Sequence, residues 1–112
     1  RQAMSNLDAI LDVEGIDGVY VGPADLALSH GLPAGKPSDE LDALLARIVQ
    51  ACSAHGRIPA IHTLSGADCR AKIALGYRMC SIGSDSVWLH AAYTEQVAKA
   101  REQVAVAEGG LY

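Results

Sequence analysis

Three short runs of β-favouring residues, Val19–Val21, Ile58–Thr63 and Met79–Ile82, alternate with segments of helical apolar spacing, and this alternation narrows the fold more than any other feature. The runs are too short and too apolar to leave a face in water, so helices must cover them. Strands separated by helices imply a parallel sheet joined by right-handed crossovers. Three parallel strands cannot close a barrel, and a barrel of eight strand-helix units takes about 250 residues. The expectation is therefore an α/β fold, the C-terminal part of a TIM (β/α)8 barrel, with residues 1–112 as one fragment of a single barrel domain. An open doubly wound sheet is the other arrangement that the same alternation generates.

Between the strands the pattern is helical. Ala3, Met4, Leu7, Ile10 and Leu11 predict an amphipathic helix that stops before Gly15. Asp12, Glu14 and Asp17 form an acidic turn ahead of the first strand, which places them in solvent at the end of the sheet opposite to Asp25. Leu26 to Pro37 reads as a loop, because Gly31, Pro33, Gly35 and Pro37 exclude a regular element from its second half. Ser38 is a suitable N-cap, and Asp39 and Glu40 set negative charge at the positive end of the helix dipole. Leu41, Leu44, Leu45, Ile48, Val49 and Cys52 make the apolar stripe of that helix, which Gly56 closes. Ser65-Gly66-Ala67-Asp68 has capping-box form and opens a helix through Leu75 that Gly76 ends. A last helix, roughly Ser86 to Val106, carries Leu89, Tyr93, Val97, Ala100 and Val104 along one side, and Glu108 to Tyr112 reads as irregular.

Several function classes fall away. The nine Lys and Arg residues are scattered and the net charge is −4, so nothing attracts a phosphate backbone and no nucleic-acid partner is expected. No apolar run approaches the roughly 18 residues of a membrane span, so no membrane partner is expected either. Cys52, Cys69 and Cys80 lack any C-x-x-C pair and read as reduced, buried thiols of a cytoplasmic protein. Gly35-Lys36 is not a phosphate loop, since the first glycine position holds His30 and the hydroxyl position holds Pro37. Ser81 lies inside a strand without a nucleophile elbow. His30 sits in the loop, His55 beside Gly56 is a helix-dipole partner, His90 carries no signal, and Asp85 reads as part of a helix cap. Trp88 and the tyrosines read as packing or subunit contacts.

One stretch carries more. Gly18-Val19-Tyr20-Val21 runs into Gly22-Pro23 and then presents Asp25 at the carboxyl end of a strand, where ligands bind in parallel α/β folds. The longer run Asp12-Val13-Glu14-Gly15-Ile16-Asp17-Gly18-Val19-Tyr20-Val21-Gly22-Pro23-Ala24-Asp25-Leu26 closely resembles the segment around the metal-binding aspartate of the HpcH/HpaI aldolase family. These are class II, pyruvate-using aldolases of the phosphoenolpyruvate/pyruvate barrel superfamily. The likeness extends to the opening helix, the strand with Pro59, the strand ending Ile82-Gly83 and a tail ending in tyrosine.

The resemblance implies a site. Asp25 would be a metal ligand at the end of the sixth barrel strand, and the second protein ligand, a glutamate, would lie upstream of Arg1. The family's histidine for proton transfer and its oxoacid-binding arginine would also lie upstream, so no catalytic residue is assigned here. The amides of Ala24 and Asp25 would hold the pyruvate carboxylate, with Gly22 leaving room for it and Pro23 shaping the corner without a donor. His62 stands where some relatives place an aliphatic residue lining a neighbouring subunit's pocket, so it reads either as a pocket-lining, aldehyde-selecting residue or as a structural histidine. Ala27 replaces a serine of many relatives without removing a ligand.

Two carboxylates, waters and a bidentate 2-oxoacid make an all-oxygen site that suits Mg²⁺ or Mn²⁺, with Co²⁺ as a further option. The implied activity is cleavage of a 4-hydroxy-2-oxoacid to pyruvate and an aldehyde by a homo-oligomer, the 112 residues alone being inactive. A lyase of the citrate-lyase β-subunit type acting on a coenzyme A thioester, and a non-catalytic barrel remnant, are the alternatives.

Overall fold

The computed structural model describes residues 1–108, with side chains through Glu102. Its elements are α1 (Gln2–Ser5), α2 (Leu7–Leu11), β1 (Gly18–Val21), α3 (Pro23–Ser29), α4 (Asp39–Ala54), β2 (Ile58–Thr63), α5 (Gly66–Ala74), β3 (Met79–Ile82) and α6 (Asp85–Glu108). They form two compact units, one from Arg1 to Ile82 and one that starts at Gly83.

The first unit is built on a three-stranded parallel sheet in the order β1-β2-β3. Pro59 sits in the central strand at no cost to the ladder. Ile58 N–H donates to Asp17 O toward β1 and Pro59 O accepts from Arg78 N–H, so by alternation the missing N–H faces a point ahead of β3, which starts at Met79. Gly18 has to be glycine, because a Cβ there would overlap the carbonyl oxygen of Ile58.

One face of the sheet is covered. Val21 and Ile61 are buried with Leu45, Ile48 and Cys52 of α4 and with Met4, Leu7 and Leu11, while Val19 and Cys80 pack against this core. The α4 helix begins where the sequence places it, with Ser38 Oγ accepting from Leu41 N–H at 3.4 Å, and its apolar stripe turns inward. Tyr77, only 2% exposed, donates from its phenol to Leu45 O at 3.1 Å and ties the approach to β3 to the middle of α4. At the start of α5, Ser65 Oγ accepts from Asp68 N–H, and Asp68 Oδ2 accepts from Leu64 N–H one residue before the cap.

Three expectations need correction. The opening helix is two pieces broken at Asn6, whose φ of −109° and ψ of 17° leave the helical region. The stretch after Asp25 starts as helix rather than loop: Pro23 at the first position presets φ, and Ala27 and Leu26 continue α3 onto the core. Only Cys52 is fully buried; Cys69 and Cys80 are half-buried. The strands at 58–63 and 79–82 fall where expected.

In the second unit α6 runs from Asp85 to Glu108, and the indole of Trp88 lies close over Gly83, where a Cβ would come within 2.6 Å of Nε1. Leu89, Tyr93, Val97 and Ala100 are exposed. Glu108, expected in an irregular tail, still belongs to α6, while the side chain of Val104 and the rest of that tail, residues 109–112, fall outside the described residues.

Burial holds two acids of the core neutral. The Cys52 thiol is raised above its ordinary 9.0 chiefly by desolvation, and the Tyr77 phenol above its ordinary 10.0 by desolvation and then by the nearby thiols of Cys52 and Cys80. In the unfolded chain both ionise at their ordinary values, so above about pH 9 the unfolded state holds fewer protons and stability must fall. Urea unfolding of the purified protein between pH 7 and pH 10.5 is expected to give a flat midpoint up to about pH 9. Beyond it, the loss should approach about 1.4 kcal/mol per pH unit for each ionising group.

Candidate functional site

β1 ends at Val21 and α3 begins at Pro23, so the change from strand to helix takes place at one residue, Gly22, with φ −94° and ψ 102°. Gly22 O accepts from Leu26 N–H at 2.9 Å, which closes the first turn. Pro23 has no N–H, and among the described residues the amides of Ala24 and Asp25 have no acceptor, as expected for the first turn of a helix. Two backbone donors are therefore left at the carboxyl end of the strand.

Asp25 lies in the first turn of α3, exposed, and its carboxylate has no hydrogen-bond partner among the described residues. It does not cap its own helix. Its Oδ2 instead lies over Gly22, where an added Cβ would come within 2.9 Å of it. A free carboxylate held against a residue without a side chain fits one donor of a hard, oxygen-liganded cation. It cannot fill a coordination sphere alone, and among the described residues no group of three or more His, Cys, Asp or Glu could hold a metal ion.

A cavity of about 490 Å³ opens at this rim, lined by Gly22, Asp25, His62, Tyr20, Lys36 and Lys72 among others. All four sequence-predicted site residues, Gly22, Ala24, Asp25 and His62, line it. A second, mostly apolar cavity of about 470 Å³ shares Tyr20, Gly22 and Asp25 and extends toward Arg1, Met4 and Leu7.

His62 is bonded in place on the sheet face opposite to α4. Its Nδ1 lies 2.9 Å from Ser81 Oγ and 3.3 Å from Tyr20 Oη, and the two hydroxyl oxygens are 2.6 Å apart. His62 and Ser81 are direct partners in the β2–β3 register, and Tyr20 faces Ala60 in the β1–β2 register, one diagonal step from His62. Tyr20 and Ser81 were not singled out for a site by the sequence. The signal was present, as a polar residue at an alternating position of each of three apolar strands, but only the register joins them.

The remaining histidines lie elsewhere. His30 Nδ1 is 3.0 Å from Leu26 O and 3.1 Å from Ser29 Oγ, at the end of α3. His55 bridges Asp12 at 2.9 Å and Asp8 at 3.2 Å, so the acidic turn at the opposite end of the sheet is partnered as well as solvated. Asp85 Oδ1 accepts from Ser86 N–H at 2.7 Å, a local bond at the start of α6. Burial raises the Cys80 thiol, and the neighbouring thiol of Cys69 and carboxylate of Asp68 act in the same direction.

Comparison with known proteins gives the family and the fold. The model of the HpcH/HpaI aldolase/citrate lyase family matches residues 1–92. A 4-hydroxy-2-oxo-heptane-1,7-dioate aldolase of Salmonella paratyphi B is 37% identical over 89 residues, which cover 80% of this chain and 34% of the relative. The chain thus spans about a third of the length of the curated relatives it matches. A solved HpcH/HpaI aldolase/citrate lyase family protein from Burkholderia cenocepacia J2315 superposes with a TM-score of 0.80 at 28% identity, covering 88% of this chain and 38% of that one. An HpcH/HpaI aldolase from Desulfitobacterium hafniense DCB-2 gives 0.80 at 22% identity over 90% and 39%, a likeness of fold. The three parallel strands and their helices are part of a barrel of this kind.

Gly22 tests the site without testing the fold. Its backbone angles suit alanine, so Gly22→Ala is expected to cost about 1 kcal/mol, the loss of a glycine at the N-cap of α3. The new methyl should turn the Asp25 carboxylate away from the strand end, visible as a changed Asp25 χ1 in a crystal structure of the variant.

Proposed function

The chain belongs to the HpcH/HpaI aldolase/citrate lyase family, and on that premise we propose that its protein is a divalent-metal-dependent class II aldolase. It would cleave a 4-hydroxy-2-oxoacid to pyruvate, or a related 2-oxoacid, and an aldehyde. The observation that carries this reading is the Asp25 carboxylate, without a partner among the described residues and seated over Gly22 at the end of β1.

Asp25 would hold Mg²⁺ or Mn²⁺, or Co²⁺ in their place, together with a carboxylate from outside this chain. When bound, such an ion supplies Lewis acidity toward the keto oxygen of the oxoacid. The rest falls to the chain. The amides of Ala24 and Asp25, which have no acceptor among the described residues, receive the oxoacid carboxylate, and Gly22 lets it approach the backbone. His62 faces the aldehyde part of the substrate in the same cavity.

We further propose that residues 1–112 are one portion of a single barrel domain and that the protein is a cytoplasmic homo-oligomer. Cys52, Cys69 and Cys80 are unpaired, which supports a reducing compartment, and no described helix is long and apolar enough to cross a membrane. Trp88, Leu89, Tyr93 and Val97 leave apolar surface on α6 that supports contact with a second subunit.

The deciding experiment is pyruvate release by the full-length protein, followed by coupled oxidation of NADH. Activity is expected to vanish with a chelator and to return with Mg²⁺ or Mn²⁺. Asp25→Asn should lose it by at least about a hundredfold at unchanged thermal stability, consistent with a loss of several kcal/mol of transition-state stabilisation. Full activity of that variant, or cleavage of a coenzyme A thioester in preference to the oxoacid, would overturn the reading.

A further inference from the structure

Two thiols meet where α5 packs on β3. Cys69 lies one turn into α5, Cys80 is the second residue of β3, and their side chains are hydrogen-bonded neighbours beside the Asp68 carboxylate. Strand register explains the meeting. Cys80 pairs with Ile61 and so shares the helix-covered face of the sheet, whereas Ser81 pairs with His62 on the other face. Both thiols are half-buried, so neither is sealed inside the core. Cys52 does not compete for either of them: it is fully buried on α4 with its thiol bonded to the backbone of Val19 in β1, and β2 lies between β1 and β3.

A disulfide needs a sulfur–sulfur distance of about 2 Å, shorter than any contact between two thiols, so one element must move to close it. β3 is held: it is paired in register with β2, and Thr63, fully buried, donates from Oγ1 to Ser81 O at 2.6 Å. The end of α5 is held as well, because Lys72 O accepts from Leu75 N–H and from Tyr77 N–H, and the Tyr77 phenol is anchored on Leu45 O. The start of α5 has only local bonds, with Ser65 Oγ accepting from Asp68 N–H and Asp68 Oδ2 from Leu64 N–H. Leu64, Asp68 and Lys72 line the Asp25 cavity. Drawing Cys69 toward Cys80 therefore displaces a wall of that cavity.

We propose that Cys69 and Cys80 are a modification site, a dithiol that hydrogen peroxide converts to a reversible disulfide, and that closing it shifts the start of α5 and weakens oxoacid binding in the Asp25 cavity. Burial holds Cys80 as the thiol, so Cys69 meets the oxidant first. The Cys69 sulfur, its proton released, attacks one peroxide oxygen; the O–O bond breaks, and the departing hydroxide takes up that proton as water. The Cys80 sulfur then attacks the sulfur of the Cys69 sulfenic acid, the S–O bond breaks, and the hydroxide leaves with the Cys80 proton as a second water. Two thiols and one peroxide give one disulfide and two waters. A transient bridge of this kind is compatible with a reducing compartment. The effect on the oxoacid rests on the aldolase reading; the disulfide does not.

The test has two arms on the full-length protein. In the first, it is treated with graded hydrogen peroxide, its remaining thiols are blocked, and it is digested with trypsin without reductant. Cleavage after Arg57, Arg70, Arg78 and Lys99 leaves Cys69 on peptide 58–70 and Cys80 on peptide 79–99. Mass spectrometry is expected to find these two peptides joined, lighter by two hydrogens than their sum, and separated again by dithiothreitol. Cys69→Ser and Cys80→Ser should each abolish the joined species. Oxidation of Cys69 to sulfinic or sulfonic acid without a bridge, or a bridge from either cysteine to any other thiol, would overturn the inference.

In the second arm, pyruvate release from 4-hydroxy-2-oxopentanoate with Mg²⁺ is measured on reduced and on bridged protein after catalase has removed the peroxide. Bridging is expected to lower kcat/KM by about threefold or more, chiefly through KM, and dithiothreitol should restore it. Cys69→Ser carried through the same treatment should keep its kcat/KM. Bridged protein with unchanged kcat/KM, or an equal loss in Cys69→Ser, would overturn the link to the cavity. Reduced wild-type protein without metal-dependent pyruvate release would sink the aldolase reading and that link with it, while the joined peptides decide the disulfide on their own.

Discussion

A parallel ladder makes each connection travel back along the sheet before the next strand can begin, and this one constraint arranges the rest of the unit. It sets the carboxyl ends of β1, β2 and β3 on a common rim and the acidic turn before β1 on the other. Gly22, Asp25 and His62 belong to one rim because their strands run the same way; Asp8, Asp12 and His55 meet at the other for the same reason. The register then holds the rim to atomic distances. Gly18 admits β2 closely enough for Ile58 to pair with it, and Tyr77 locks the approach to β3 to α4.

The two faces of the sheet differ in how their polar groups are used. On the face covered by α4, Thr63 and Tyr77 are buried and bonded, and no buried side-chain nitrogen or oxygen among the described residues lacks a partner. Polar groups without a partner among the described residues collect at the rim: the Asp25 carboxylate, the amides of Ala24 and Asp25, and Nε2 of His62. Solvent makes them cheap to leave open, and openness is what a ligand needs. The turn from β1 into α3 within one residue creates this condition, because a helix that starts against a strand end must leave its first donors unbonded.

Much of this was legible in the sequence. The alternating pattern located β2 and β3, the Ser38 and Ser65 caps marked two helix starts, and the run around Gly22-Pro23 singled out Asp25, because these are local effects of side-chain period and backbone chemistry. The misses were local signals overruled by packing. The glycines and prolines after His30 concealed that α3 persists through Ser29, held by Leu26 and Ala27 against the core, and the apolar spacing of the first eleven residues hid the break at Asn6.

By itself the sequence determined the three strand segments and the helices α4 and α5, that the strands are parallel, and which carboxylate stands at a strand end, since each follows from residues near one another in the chain. Only the tertiary structure decided that Tyr20, His62 and Ser81 share one hydrogen-bonded cluster and that the Asp25 carboxylate rests over Gly22. The physical reason is that strand register and side-chain rotamer are fixed by contacts between residues up to 61 positions apart, as Tyr20 and Ser81 are, and no local pattern contains them.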